Sequence, residues 1–166
     1  MEDTRLKALT DVTLVGAAVD LVLGILKIFL GVVENSQALV ADGIHSISDL
    51  VTDGMVLVAV RQGNKIADED HPYGHARIET ITTVLLALAL LLVSIGIVNN
   101  AVNILSEPGQ EVTPGWVALL VVMLSGLSKE YIYHYTMKVA KLHQSPILEA
   151  NAWHSRTDAI SSVMVF

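Results

Sequence analysis

The chain has 166 residues, 52% of them hydrophobic, and its mean hydropathy of +0.56 excludes an ordinary water-soluble domain. It contains no cysteine, which excludes a disulfide framework and a thiolate metal site, so any metal must be held by His, Asp, Glu or backbone oxygen. The net charge of −7 comes from dispersed acids without a basic stripe, which argues against nucleic acid as a partner.

Taken in order, the chain offers five membrane spans, at roughly 11–33, 36–60, 78–105, 113–136 and 146–166, each near the ~20 residues a crossing requires. The acidic start Met1-Glu2-Asp3, with no small-residue cleavage site after the first apolar run, argues against a signal peptide, so the first span is expected in the mature protein. Glu34-Asn35-Ser36 predicts a tight hairpin into the second span. The only long polar connection, 61–77, leads into the third, where 81–105 carries no charge at all. Glu107-Pro108-Gly109 and Pro114-Gly115 break the chain before the fourth span, and Ser145-Pro146 reads as a cap and first helical residue for the fifth. The expected fold is therefore all-α, a polytopic transmembrane helical bundle.

The basic residues give an orientation. Arg5, Lys7, Arg61, Lys65, Arg77, Lys138 and Lys141 all fall on one side of such a bundle, whereas the opposite loops hold only Glu34, Glu107 and Glu111. By the positive-inside rule the N-terminus and the 61–77 loop are expected to be cytoplasmic.

Ionisable residues inside the spans carry the chemistry. Asp42, His45, Asp49 and Asp53 share one stripe of the second span, and His154 and Asp158 share a face of the fifth. Both helices carry the same His-Ser-x-x-Asp pattern, at 45–49 and at 154–158. His45 and Asp49 lie about 13 and 20 Å along their span from one side, and His154 and Asp158 about 12 and 18 Å along theirs from the other. Antiparallel helices would then set His45 level with Asp158 and Asp49 level with His154, near mid-membrane. Two imidazoles and two carboxylates suit a tetrahedral zinc ion, and the nitrogen ligands lean away from magnesium, calcium or manganese. The bland alternative is that the groups merely pair and hold the bundle together. Against it, a charged Asp at a helix centre costs roughly 2.5–3.5 kcal/mol even on a lenient scale.

Asp42 and Asp53 sit on the same stripe towards its two ends, and either line an access path or are the wet ends of the helix. Asp20 and Lys27, on one face of the first span, read as structural charges that neutralise each other or neighbours. Lys129 and Glu130, near the expected inner end of the fourth span, read as residues that snorkel or pair. Arg156 points away from Asp158 and is not a ligand. In the 61–77 loop, Asp68, His71 and His75 have a spacing that could wrap a second ion, with Pro72 and Gly74 shaping the turn; the alternative is a solvated acidic loop. His134 and His143 read as interfacial.

These residues resemble the cation diffusion facilitators, over the whole chain. The resemblance is carried by Ser36-Gln37-Ala38-Leu39-Val40-Ala41-Asp42, by the two H-x-x-x-D pairs and by His71-Pro72-Tyr73-Gly74-His75. It implies that His45, Asp49, His154 and Asp158 form a transport site, that Asp68, His71 and His75 match a second metal site seen in some members, and that zinc, sometimes cadmium or cobalt, is the substrate. Members with Asp in place of the first His more often carry iron or cadmium as well. It further implies six helices, a homodimer and a cytoplasmic C-terminal metal-sensing domain. The sequence carries neither the sixth helix nor that domain, as expected of a truncated chain or a fragment.

The expected function is divalent-metal efflux, from the plasma membrane or an internal one, with protons as counter-ions, because zinc and protons compete for the same four groups. Iron, manganese or cadmium as cargo is the alternative within that function. An intramembrane metalloenzyme is not expected, since H-E-x-x-H is missing and all four convergent groups serve as ligands. A metal-binding assembly partner that does not transport is the remaining alternative.

Overall fold

The computed structural model describes residues 2–63, 76–106 and 115–164, which form five α-helices and, among the described residues, no strand. They are α1 (Glu2–Val33), α2 (Gln37–Gly63), α3 (Ala76–Ser106), α4 (Trp116–Leu142) and α5 (Pro146–Met164). Two bounds differ from the expected spans by more than a few residues: α1 starts at Glu2 and α4 runs on to Leu142. Hydropathy reports where lipid ends, whereas backbone hydrogen bonding carries a helix past that boundary into polar sequence.

The stretches Thr4–Val33, Ala38–Gly63, Arg77–Gly96 and Trp116–Leu142 are each long and apolar enough to cross a bilayer. α5 has 19 residues, about 28 Å of helix, and owes its lower hydropathy to the polar groups it turns inward. The chain is an integral, multi-pass membrane protein.

The tight connections follow local chemistry. Asn35 takes the left-handed conformation (φ 53°) between α1 and α2, and Ser36 Oγ accepts from Leu39 N at 3.3 Å to cap α2. Gln144 (φ 48°) turns the chain from α4 into α5. Ser145 stands at the cap position before Pro146, but its hydroxyl donates to Glu79 Oε1 on α3. Arg5 Nη2 reaches the other oxygen of that carboxylate at 3.1 Å, so Glu79 ties α1, α3 and the α4–α5 turn together at one end of the bundle.

α1 packs chiefly on α2, and α4 on α5; α1 also meets α4, α2 meets α5, and α3 lies against α2 and α5. The arrangement is inside-out relative to a soluble bundle. Val22, Ile25 and Phe29 of α1 and Leu85, Leu88 and Leu92 of α3 face outward, while Asp20, Lys27, Asp49, Asp53, Lys129 and Asp158 are buried. Apolar clusters flank the charges: Leu9, Val12, Val56, Val60, Ile147 and Leu148 towards one end, and Leu39, Ala118, Val121 and Val122 towards the other.

Candidate metal centre

The helical repeat places His45 and Asp49 one turn apart on α2, and His154 and Asp158 one turn apart on α5. Antiparallel packing sets the pairs against each other in crossed register. His45 Nε2 lies 3.6 Å from Asp158 Oδ1, and His154 Nε2 lies 3.2 Å from Asp49 Oδ1. Within each helix, His45 Nε2 is 4.0 Å from Asp49 Oδ1, and His154 Nδ1 is 3.5 Å from Asp158 Oδ1. Donor atoms of His45, Asp49 and Asp158 all lie within 4.8 Å of one another, in the range for sharing one ion. The His154 ring straddles the two carboxylates, Nε2 towards one and Nδ1 towards the other. Asp49, His154 and Asp158 are buried, whereas the His45 side chain is 38% exposed and forms the open side of the cluster.

Two further charges complete the centre. Lys129 Nζ lies 2.5 Å from Asp20 Oδ1, 3.1 Å from Asp49 Oδ2 and 3.3 Å from Asp158 Oδ2. Of the two readings the sequence left open for Lys129, snorkelling or pairing, the structure shows pairing: from the middle of the 27-residue α4 its ammonium turns into the bundle. Asp20 and Lys27 do not pair with each other. Asp20 serves Lys129, and Lys27 Nζ reaches Asp42 Oδ2 at 2.8 Å and Ser46 Oγ at 3.1 Å. Lys129 and Asp20 are the members that sequence reasoning missed; a charge of each sign at the middle of an apolar helix was the available signal.

Along the α2 stripe, Asp42 is thus tied to α1. Asp53, at the other end, accepts from Asn151 Nδ2 at 3.0 Å, and its Oδ2 has no hydrogen-bond partner among the described residues. Arg156 leaves the cluster for α4, where its Nη1 donates to Tyr133 Oη at 3.2 Å and its guanidinium stacks 4.6 Å from that ring's centroid. His134, exposed, pairs with Glu130 at 3.1 Å, and His143 caps α4. The loop trio Asp68, His71 and His75 lies outside the described residues.

A family model described as the cation efflux transmembrane domain matches residues 13–166. An uncharacterized transporter of Methanocaldococcus jannaschii is 37% identical over 146 residues, 88% of this chain and 51% of that protein. The manganese efflux system protein MneP of Bacillus subtilis is 34% identical over 166 residues, 100% of this chain and 55% of that protein. Metal tolerance protein C1 of Arabidopsis thaliana is 34% identical over 163 residues, 90% of this chain and 35% of that protein. The chain spans about half the length of the first two of these relatives.

Proposed function

The chain belongs to the cation efflux family, the cation diffusion facilitators, and on that premise we propose that it exports a divalent metal cation, zinc first, in exchange for protons. The metal is held by His45, Asp49, His154 and Asp158, and the site opens alternately to the two sides of the membrane. One observation carries this reading. Four donor side chains from α2 and α5 meet inside the bundle at separations of 3.2, 3.5, 3.6 and 4.0 Å. Ligands about 2.0–2.2 Å from a tetrahedral ion lie roughly 3.3–3.6 Å from one another; His45, Asp49 and Asp158 converge within 4.8 Å, and His154, which meets the two carboxylates through different ring nitrogens, must reorient to become the fourth ligand.

Proton coupling follows from the donors, because imidazole and carboxylate bind metal only when deprotonated and metal arrival therefore releases protons. The N-terminus and the 61–77 loop face the cytoplasm in this proposal, Asp42 and Asp53 line the path, and Asp68, His71 and His75 form a second, loop-borne site. The full-length protein acts as a homodimer.

The test is metal uptake into liposomes that hold the full-length protein and an internal pH dye. Zinc entering as protons leave supports the proposal. Zinc binding without flux supports the rival reading, a metal-binding assembly partner.

The choice of metal has its own test, since one relative is named for manganese efflux. Imidazole favours zinc, whereas an all-oxygen site favours manganese. His154→Asp is expected to lower zinc affinity by about tenfold or more while manganese affinity holds or rises. Parallel zinc and manganese titrations measure the ratio, and an unchanged ratio would remove His154 from the selectivity of the site.

A further inference from the structure

Lys129 supplies no donor to the four-ligand set, yet it is 2% exposed and meets three carboxylates at once. Two of them, Asp49 and Asp158, belong to the proposed metal site, and it touches each through Oδ2 while the imidazoles face Oδ1. The third, Asp20, comes from α1 and contacts no imidazole among the described residues.

The formal charges are informative. Three carboxylates and one ammonium leave two negative charges, which one divalent cation neutralises with the lysine still in place. Metal and ammonium nevertheless compete for the same two carboxylates, and like charges a few Å apart in a poorly polarisable interior repel strongly. Asp20 gives the ammonium somewhere to go.

We infer that Lys129 is a tethered cation that alternates with the transported metal. In the empty site its ammonium bridges Asp49 and Asp158, and an arriving metal displaces it onto Asp20. This rests on the four-donor cluster being the transport site. The lysine then does two things for transport. It holds α2 and α5 together when no metal is bound, and it keeps metal affinity low enough for release, since a permeating ion must bind well enough to enter and weakly enough to leave.

The inference predicts opposite effects from the two partners of one ion pair, which loss of a merely structural contact would not produce. Zinc titration of the full-length protein in lipid nanodiscs, with flux in liposomes, is the experiment. Lys129→Met should bind zinc at least about tenfold more tightly, with a lower KM and a lower maximal flux. Asp20→Asn should bind about tenfold more weakly, because the ammonium then rests wholly on Asp49 and Asp158. Lys129→Arg, which keeps the cation, should stay near the parent affinity. The double variant Asp20→Asn with Lys129→Met leaves no lone buried carboxylate on α1, and should bind more tightly than the parent. Zinc binding no tighter than the parent's in both Lys129→Met and the double variant overturns the inference, as does unchanged binding in Asp20→Asn. Asp49→Ala separates the two levels. If it retains parent affinity, the transport-site reading itself fails; if it loses zinc while neither Lys129→Met nor the double variant binds more tightly, only the tethered cation fails.

Discussion

Asp158→Ala is expected to abolish metal flux and to weaken zinc binding by more than about a hundredfold, because losing a ligand exceeds the roughly 10–100-fold cost of losing a group that only supports one. Asp158 is the carboxylate on which the cluster turns. Its Oδ1 lies 3.6 Å from His45 Nε2 and 3.5 Å from His154 Nδ1, and its Oδ2 lies 3.3 Å from Lys129 Nζ. Asp49 makes a comparable set of contacts but meets His45 only at 4.0 Å. Removing Asp158 therefore takes away a ligand, a negative charge and the nearest carboxylate partner of His45. Asp158→Asn separates charge from shape, since the amide fills the same space; it should lose flux as fully as Ala. Asp158→Glu keeps the charge on a longer arm and should retain part of the affinity. Zinc titration and liposome flux measure these effects, with thermal unfolding as the check that each variant is folded. Binding by Asp158→Asn within a few-fold of the parent would remove Asp158 from the ligand set.

Much of this geometry was legible before any coordinates. The level of His45 with Asp158 follows from a rise of 1.5 Å per residue and the antiparallel run of two helices, and both quantities are nearly invariant. The shared face follows from the helical repeat, which a four-residue spacing reports directly. The partner of Lys129 was not legible in the same way. Its place near a helix end rested on a span expected to stop at 136, and hydropathy does not mark where a helix stops once it leaves the lipid. The pairing of Asp20 with α4, and of Lys27 with Asp42, depends on how α1 is rotated against its neighbours. No residue spacing within one helix encodes that rotation; it is fixed by side-chain and glycine packing between helices.

That packing supplies the second large effect. Gly43→Ala is expected to destabilise the bundle by about 1–3 kcal/mol, as overpacking does, lowering the unfolding temperature by roughly 2–12 °C. A Cβ at Gly43 would lie 2.7 Å from Ile28 Cγ1, 2.8 Å from Ile28 N and 2.9 Å from Gly24 O. The side-chain atom could move aside, but the other two are backbone, so α1 and α2 would have to separate. Small residues that let helix backbones touch are the usual means of helix association in lipid, where burying apolar surface supplies little driving force. Gly54 on the same helix is the control. A Cβ there meets nothing within 4 Å, and Gly54→Ala should be neutral or gain up to about 1 kcal/mol from better helix propensity. The two substitutions add the same methyl group to the same helix with opposite signs. The consequence reaches the metal centre, because His45 follows Gly43 by two residues and Asp42 precedes it, so a displaced α2 carries its donors away from α5. Gly43→Ala should therefore lose zinc affinity together with stability, and Gly54→Ala should lose neither. Thermal unfolding and zinc titration of the two variants side by side measure it. Equal unfolding temperatures would mean that the α1–α2 contact does not limit the stability of the bundle.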